Sequence, residues 1–384
     1  MLADPHTACA RIDLAAYAGN LTRIADHVGP EVAVMAVVKA DAYGHGMIEC
    51  ARVARAAGIP WVGVATVAEA LTLREAGDQG PLFAWLYGPD EDLSPAVATG
   101  IDLAVHRVEQ LSQVAAAAAI CETTAAVQLK IDTGLSRNGA TGEQWPALVE
   151  AALEAVELGA LEVRGIWSHF AASDEPEHPA TAAQLEVFEW ALGYAADAGL
   201  AVPLRHIGNS AAALRLPQAR YDLVRIGIAA YGIDPADGTL AADAGVELQP
   251  VMTLRAQLIN VKPVPAGAAV SYGGTWTATE STVLGLVPLG YGDGVPRGAG
   301  NRGQVLVGGR LAPIRGRICM DQFVVDLGPD ARDQVGDEVV LFGAAGAPTA
   351  SDWARAGDTI GYEVVTRLPL RLTRIQVEPG EESR

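Results

Sequence analysis

The chain has 384 residues, with 27 Lys+Arg against 46 Asp+Glu for a formal net charge of −19, and half of its residues are hydrophobic. That balance argues against nucleic acid or an anionic membrane as a main partner, because a phosphate-binding surface needs an excess of basic charge. Only three of the basic residues are lysines, Lys39, Lys130 and Lys262. A biased base composition accounts for the scarcity of lysine but not for its survival at these three positions.

The length exceeds the usual single-domain range and predicts two domains, residues 1–243 and 244–384, with about the first ten residues packing on the second. No stretch approaches the roughly 18 to 20 apolar residues of a membrane span, and the N-terminus has no basic segment followed by an apolar one. A soluble, cytoplasmic protein is expected. Cys9, Cys50, Cys121 and Cys319 lie far apart with no C-x-x-C pair, and the seven histidines are scattered. This suits a reducing compartment and predicts no metal site.

Up to about residue 243, short apolar runs alternate with Ala-rich amphipathic segments, the pattern of βα units around a parallel sheet. Strands are predicted at Ala33–Val38, Trp61–Val64, Leu82–Leu86, Asp102–Val105, Ala126–Ile131, Val163–Trp167, Pro203–His206 and Asp222–Ile226. Helices are predicted at Met47–Ala57, Val67–Ala76, Arg107–Ala118, Glu143–Leu158 and Thr181–Ala198. Eight such repeats fit a (β/α)8 TIM-type barrel better than an open doubly wound sheet, although a strand count does not show that the sheet closes.

Beyond about residue 245, alternating runs at Val251–Val261, Thr282–Val287, Gln304–Val307, Phe323–Leu327 and Glu338–Phe342 are separated by Gly, Pro and Asp turns. They predict a mostly antiparallel C-terminal β domain, interrupted by short helices around Ser351–Ala356 and Thr359–Arg367. The polar tail Glu378–Arg384 is expected to fray.

Barrel active sites gather at the C-terminal ends of the strands. Lys39 stands where the first strand leaves the barrel and Lys130 at the end of the fifth, with Arg137 and Asn138 close behind. Ser168-His169 follows the sixth strand and Asn209-Ser210 the seventh, while Arg225 and Gly227-Ile228 belong to the eighth. Singly these are weak signals: a strand-end lysine is commonly a solvated charge, and His45 or His169 alone reads as a loop or core histidine. Together they place a lysine opposite the phosphate-binding position that barrels build after strands seven and eight. A buried lysine loses its charge readily, as an imine-forming amine must. The combination points to pyridoxal 5′-phosphate, an aldehyde that also carries a phosphate.

The run VVKADAYGHG (37–46) resembles the cofactor-attachment motif of the alanine racemases. The resemblance continues through KIDTGLSRNG (130–139), WSHFAASDE (167–175), GNSAA (208–212), RIGIAAYG (225–232), SYGGTW (271–276), GRICMDQ (316–322) and YE (362–363), in the family's order.

The resemblance implies that Lys39 holds pyridoxal phosphate and acts as one base on the substrate Cα, with Tyr272 as the second base on the opposite face. Two bases are needed because a single one returns its proton to the face it came from. It further implies that Tyr43, Ser210 and Ile228 contact the phosphate, with Asn209 and Gly227 beside them. Arg225 meets the pyridine nitrogen and leaves it unprotonated, and His169 joins Arg225 on a hydrogen-bonded path toward the tyrosine. Lys130 is a candidate for carbamylation that orients Arg137. Arg137 and Met320 contact the substrate carboxylate, while Asp321 and Tyr362 belong to the entrance beside the cofactor. Tyr272, Met320 and Tyr362 reach the Lys39 site of the other subunit of a homodimer, so that active sites are shared.

Interconversion of L- and D-alanine, supplying D-alanine for peptidoglycan, is the function so implied. The alternatives are a broader racemase acting on serine or other amino acids, a fold-related decarboxylase, or a non-catalytic cofactor-binding protein. Ile226, Leu135 and Gly361 depart from the family's usual proline, methionine and bulkier residue. None of the three removes a functional group. Lys262 matches no motif and reads as a surface residue.

Overall fold

A computed structural model describes residues 7–175, 177–236 and 238–377. The tail expected to fray lies outside them. Strand β1 (Ala8–Asp13) precedes eight parallel strands: β2 (Ala33–Val37), β3 (Trp61–Thr66), β4 (Leu82–Leu86), β5 (Asp102–Val105), β6 (Ala125–Lys130), β7 (Leu161–Trp167), β8 (Leu204–His206) and β9 (Leu223–Ile226). They lie side by side in the order β8-β7-β6-β5-β4-β3-β2-β9. Closure between β8 and β9 is made by Asp222 N–H to Arg205 O at 3.2 Å and Arg225 N–H to Gly208 O at 3.0 Å. The predicted barrel therefore forms, with every predicted strand present to within two residues at either end.

Strands β5, β6 and β9 are buried along their whole length, as parallel strands covered on both faces must be. Met35, Phe83, Ala104, Trp167 and Leu223 pack together as a cluster separate from the main core. Asp102, Gln128 and His206 are also fully buried.

The second half forms a largely antiparallel sheet that recruits β1 from the N-terminus. β1 pairs antiparallel with Met252–Gln257 and parallel with Thr373–Val377. The sequence patterning missed both β1 and Thr373–Val377, whose partners lie more than a hundred residues away or at the far end of the chain. The run expected as one strand, Val251–Val261, is two, Met252–Gln257 and Asn260–Val264. Between them Leu258 N–H turns to Asp337 O and Ile259 N–H to Leu286 O, so the chain changes partners there. Arg310–Arg315 was also missed, because its Arg and Pro residues mask the alternation of buried Ala312 and Ile314. It follows a two-residue turn with positive φ at Gly308 and Gly309, which suits a tight hairpin. The two short C-terminal helices form at Ala350–Gly357 and Gly361–Thr366.

Asn20, fully buried, clamps the segment leading out of the barrel. It donates to Ala230 O at 3.0 Å and Gln249 O at 2.8 Å, and accepts from Gln249 N–H at 2.9 Å. At the same crossing Gly232 has φ +78°, and a Cβ there would lie 1.9 Å from Gln249 O. Gly232→Ala is expected to destabilise the fold by at least about 2 kcal/mol, read as a lower denaturant midpoint, since both the dihedral and the contact must be relieved.

Candidate active site

A cavity of about 770 Å³ opens at the C-terminal ends of the barrel strands. Lys39, Tyr43, Lys130, Arg137, His169, Asn209, Ser210, Arg225, Gly227, Ile228 and Tyr362 all line it. Two lysines and two arginines face it with no Asp or Glu among the lining residues, in a chain whose net charge is −19. Such a pocket attracts an anion.

Lys39 leaves β2 through an unusual turn. Ala40, Asp41, Ala42 and Tyr43 have φ of 53–54°, a run of left-handed residues without glycine. Each such residue costs about 1–2 kcal/mol, so the turn depends on its anchors. Ala40 N–H donates to Glu69 Oε1 at 2.7 Å, Met47 N–H to Asp41 Oδ1 at 2.9 Å and Ala42 N–H to Val38 O at 2.8 Å. The buried His45 contacts Ala42 O and Tyr43 O through Nδ1 at 2.9 and 3.0 Å, and the Tyr43 ring packs between Tyr231 and Tyr362. The strain thus sets the direction in which Lys39 emerges. Its Nζ lies 5.8 Å from the Trp85 ring centre and 5.9 Å from that of Tyr43. Burial, and then the nearby Arg137 cation, lowers the Lys39 pKa. Both effects favour the neutral amine that attacks a carbonyl.

Beyond the ends of β8 and β9, the latter paired with β2, Ser210 Oγ accepts from Gly227 N–H at 3.0 Å. Asn209 Oδ1 caps the short helix Ser210–Arg215 through Ala212 N–H at 3.1 Å and accepts from Ser173 Oγ at 2.9 Å. A Cβ on Gly227 would come within 2.4 Å of Tyr43 Oη, so only glycine leaves this cradle open.

Arg225 lies almost fully buried beneath the cavity. Its Nη1 donates to His206 Nδ1 at 3.0 Å and His206 O at 3.2 Å. Its Nη2 donates to Ser168 O at 2.8 Å, Ile207 O at 3.1 Å and His169 Nδ1 at 3.1 Å. The terminal nitrogens are fully used, and Nε–H is the donor without a protein acceptor among the described residues. Burial lowers the guanidinium to about 9, which leaves it cationic at neutral pH. Burial, then Arg225 and Arg137, pushes His169 well below its ordinary pKa, so its ring is neutral.

Lys130 ends β6 with Nζ 4.3 Å from the Trp167 ring centre. Burial, then Arg225 and Arg137, lowers it to about 8. The loop carrying Arg137 is pinned by Gly134 and Ser136 N–H groups on Asp132 Oδ1 and by Ala140 N–H on Lys130 O.

Tyr272, Met320 and Asp321 are not brought to this cavity within the chain, whereas Tyr362, expected to reach the site of the other subunit, instead lines the Lys39 cavity of its own chain because the helix Gly361–Thr366 packs its ring against Tyr43. Tyr272 is 72 % and Met320 56 % exposed, and Asp321 pairs at the surface with Arg371 at 2.8 Å. Sequence reasoning missed Glu69, Trp85 and His106, the last two lining the cavity. Trp85 near the end of β4 and His106 directly after β5 were within reach of the strand-end rule; Glu69, on a helix, was not.

The donor set fits pyridoxal 5′-phosphate: a neutralisable lysine, a hydroxyl and backbone cradle at the ends of β8 and β9, and a buried cation lining the same cavity. Fold and site define a (β/α)8-barrel enzyme that uses this cofactor. The alanine racemase N-terminal domain family matches residues 12–235 and the alanine racemase C-terminal domain family residues 251–376. The chain is 50 % identical over 375 residues to an alanine racemase of Streptomyces coelicolor, covering 96 % of this chain and 95 % of that one. It is 49 % identical to one of Thermobifida fusca, over 95 % of this chain and 97 % of that one. A crystal structure of alanine racemase from D-cycloserine producing Streptomyces lavendulae superposes with a TM-score of 0.94 at 48 % identity, over 97 % of both chains. The chain belongs to the alanine racemase family.

Proposed function

We propose that this protein interconverts L- and D-alanine by moving a proton off one face of the substrate Cα and onto the other, supplying D-alanine for peptidoglycan. The observation that carries the reading is Lys39, a desolvated amine held by a strained turn in the lining of a cationic barrel cavity. When bound, pyridoxal phosphate supplies an electrophilic carbon and a ring that draws electron density from Cα.

Lys39 anchors the cofactor and serves as base on one face. Ser210, Tyr43 and the backbone of Gly227 and Ile228 hold its phosphate, with Asn209 fixing the helix start. Arg225 faces the pyridine nitrogen. A guanidinium donates and does not give up its proton readily, so Arg225 would offer that nitrogen a hydrogen bond without transferring a proton to it. Arg137 binds the substrate carboxylate, and Tyr362 narrows the cavity.

Tyr272 is the second base, contributed by the partner subunit together with Met320 and Asp321. Their exposure and distance from the Lys39 cavity of their own chain support a homodimer with shared sites. Residues 1–243 act as the cofactor-holding unit, with Ala8–Asp13 joining the other sheet and residues 1–6 lying outside the described residues, and 244–384 as the unit that supplies the second base. Among the described residues no helix is long and apolar enough to cross a membrane, and the four cysteines form no disulfide. Both support a cytoplasmic location.

Lys130 is carbamylated in this reading. CO2 adds to a neutral amine, the N–C bond forming as one N–H proton is lost to solvent, and the resulting carbamate anion pairs with Arg137 where an ammonium would repel it. Because Lys130 titrates near 8, the neutral fraction rises as pH rises through that value. At fixed CO2 pressure, a carbon-13 carbamate resonance is expected to grow as pH is raised from 7 toward 9 and to be absent in Lys130→Arg. A spectrum without it at any pH would remove the modification.

The direct test is incubation with L-alanine in heavy water, following optical inversion and Cα deuteration together. Inversion with deuterium incorporation is expected. Carbon dioxide release without Cα exchange, or no exchange by the cofactor-loaded protein, would overturn the assignment.

A further inference from the structure

Beneath the cavity a chain of buried polar groups runs from Arg225 across the barrel interior. His206 Nδ1 accepts from Arg225 Nη1 at 3.0 Å, and His206 Nε2 meets Gln128 Oε1 at 2.7 Å. Gln128 Nε2 donates to Asp102 Oδ2 at 2.9 Å, and Asp102 Oδ1 accepts from Arg164 at 2.8 Å. Asp102, Gln128 and His206 are each 0 % exposed, and none of them lines the cavity. Asp102 opens β5, so the far end of the chain lies at the opposite face of the barrel from Lys39. There Arg164 also reaches Glu162 at 3.1 Å.

The direction of every bond follows from the charge at the far end. An ionised carboxylate only accepts, so Gln128 must turn its NH2 toward Asp102 and its oxygen toward His206. His206 must then carry its proton on Nε2 and present the Nδ1 lone pair to Arg225. With Gln128 flipped, two acceptors would face each other at Asp102. His206 would then carry Nδ1–H against the guanidinium, donor against donor. Packing removes other escapes: the Trp167 ring stacks on His206 with an interplanar angle of 5°, and Phe83 meets it edge-on. Arg164 and Gln128 both work against the burial that raises the Asp102 pKa.

We propose that Asp102 and Gln128 are positioning residues for racemisation: through the tautomer they impose on His206, they hold the Arg225 guanidinium in the orientation that leaves Nε–H for the cofactor ring. The inference rests on the reading that Arg225 faces that ring. A carboxylate outside the active site thereby decides a proton position next to it.

The test uses the cofactor-loaded enzyme with ring-nitrogen-15-labelled histidine, the His206 signals being assigned by their loss in His206→Asn. The parent protein is expected to show Nε2–H. In Asp102→Asn the amide no longer enforces the direction of Gln128, and in Gln128→Met the link to His206 is cut at nearly constant volume. In both, the His206 signals should shift toward a mixture of tautomers. The same variants should lose about tenfold in kcat, with KM for alanine within about twofold, because positioning and not substrate binding is lost. Should Asp102→Asn fail to fold, Gln128→Met carries the same readings. Unchanged His206 signals in either folded variant would overturn the proposal, as would shifted signals with unchanged kcat. The tautomer is read independently of the ring contact. If the signals shift while cofactor absorbance and rates in both these variants and Arg225→Lys stay at parent values, the Arg225 reading fails with the proposal; if only Arg225→Lys changes them, the proposal alone fails.

Discussion

Lys39→Ala is expected to lower alanine racemisation by more than about 10⁴-fold, because one substitution removes both the cofactor's anchor and the base on one face of Cα. The loss should fall on kcat, with the fold intact by circular dichroism. The side chain lines the cavity, and the turn is held by bonds that Lys39 does not make: Glu69 to Ala40, Asp41 to Met47 and Val38 to Ala42. Exogenous amines should restore little, since they cannot copy an amine aimed by four left-handed residues. Retention of more than about a hundredth of the parent rate would assign the Cα base elsewhere.

The second large effect concerns assembly. Tyr272→Phe alone should cost at least about 10³-fold in both directions, a phenol being unable to exchange a proton once its hydroxyl is gone. Mixing Lys39→Ala with Tyr272→Phe chains, each nearly inactive, should then regenerate roughly a quarter of the parent activity per subunit. Random exchange makes about half of the dimers mixed, and one of the two sites in each mixed dimer combines an intact Lys39 with an intact Tyr272. The structural basis is the separation of the two groups within one chain: Lys39 lines the barrel cavity, while Tyr272 stands 72 % exposed on the other domain. If mass spectrometry shows mixed dimers and no activity returns, each site is complete within one chain.

These expectations draw on residues of very different legibility. The barrel strands could be read directly, because parallel strands buried on both faces are short apolar runs wherever they occur. Lys39, Lys130, Asn209, Ser210 and Arg225 could be placed at strand ends by counting alone, and the cavity gathers them. Strand β1 could not be read, since its partners are Met252–Gln257 and Thr373–Val377 and no local period marks it. Glu69 also escaped, because its task is to accept the Ala40 N–H across 29 positions of sequence.

The sequence by itself determined the class of the protein: eight βα repeats followed by a β domain, the cofactor implied by a strand-end lysine and a phosphate cradle, and the family. These follow from patterns carried by contiguous residues, where local propensity, burial period and motif chemistry agree. Only the tertiary structure decided the left-handed turn that aims Lys39, the closure of the barrel by two hydrogen bonds, and the buried path from Arg225 to Asp102. It also showed that Tyr272 and Met320 stand away from the cavity of their own chain. The physical reason is common to all four. Backbone strain, ring closure, proton position and the separation of two side chains depend on groups brought together, or held apart, from distant points of the chain, and no local run of residues encodes a distance.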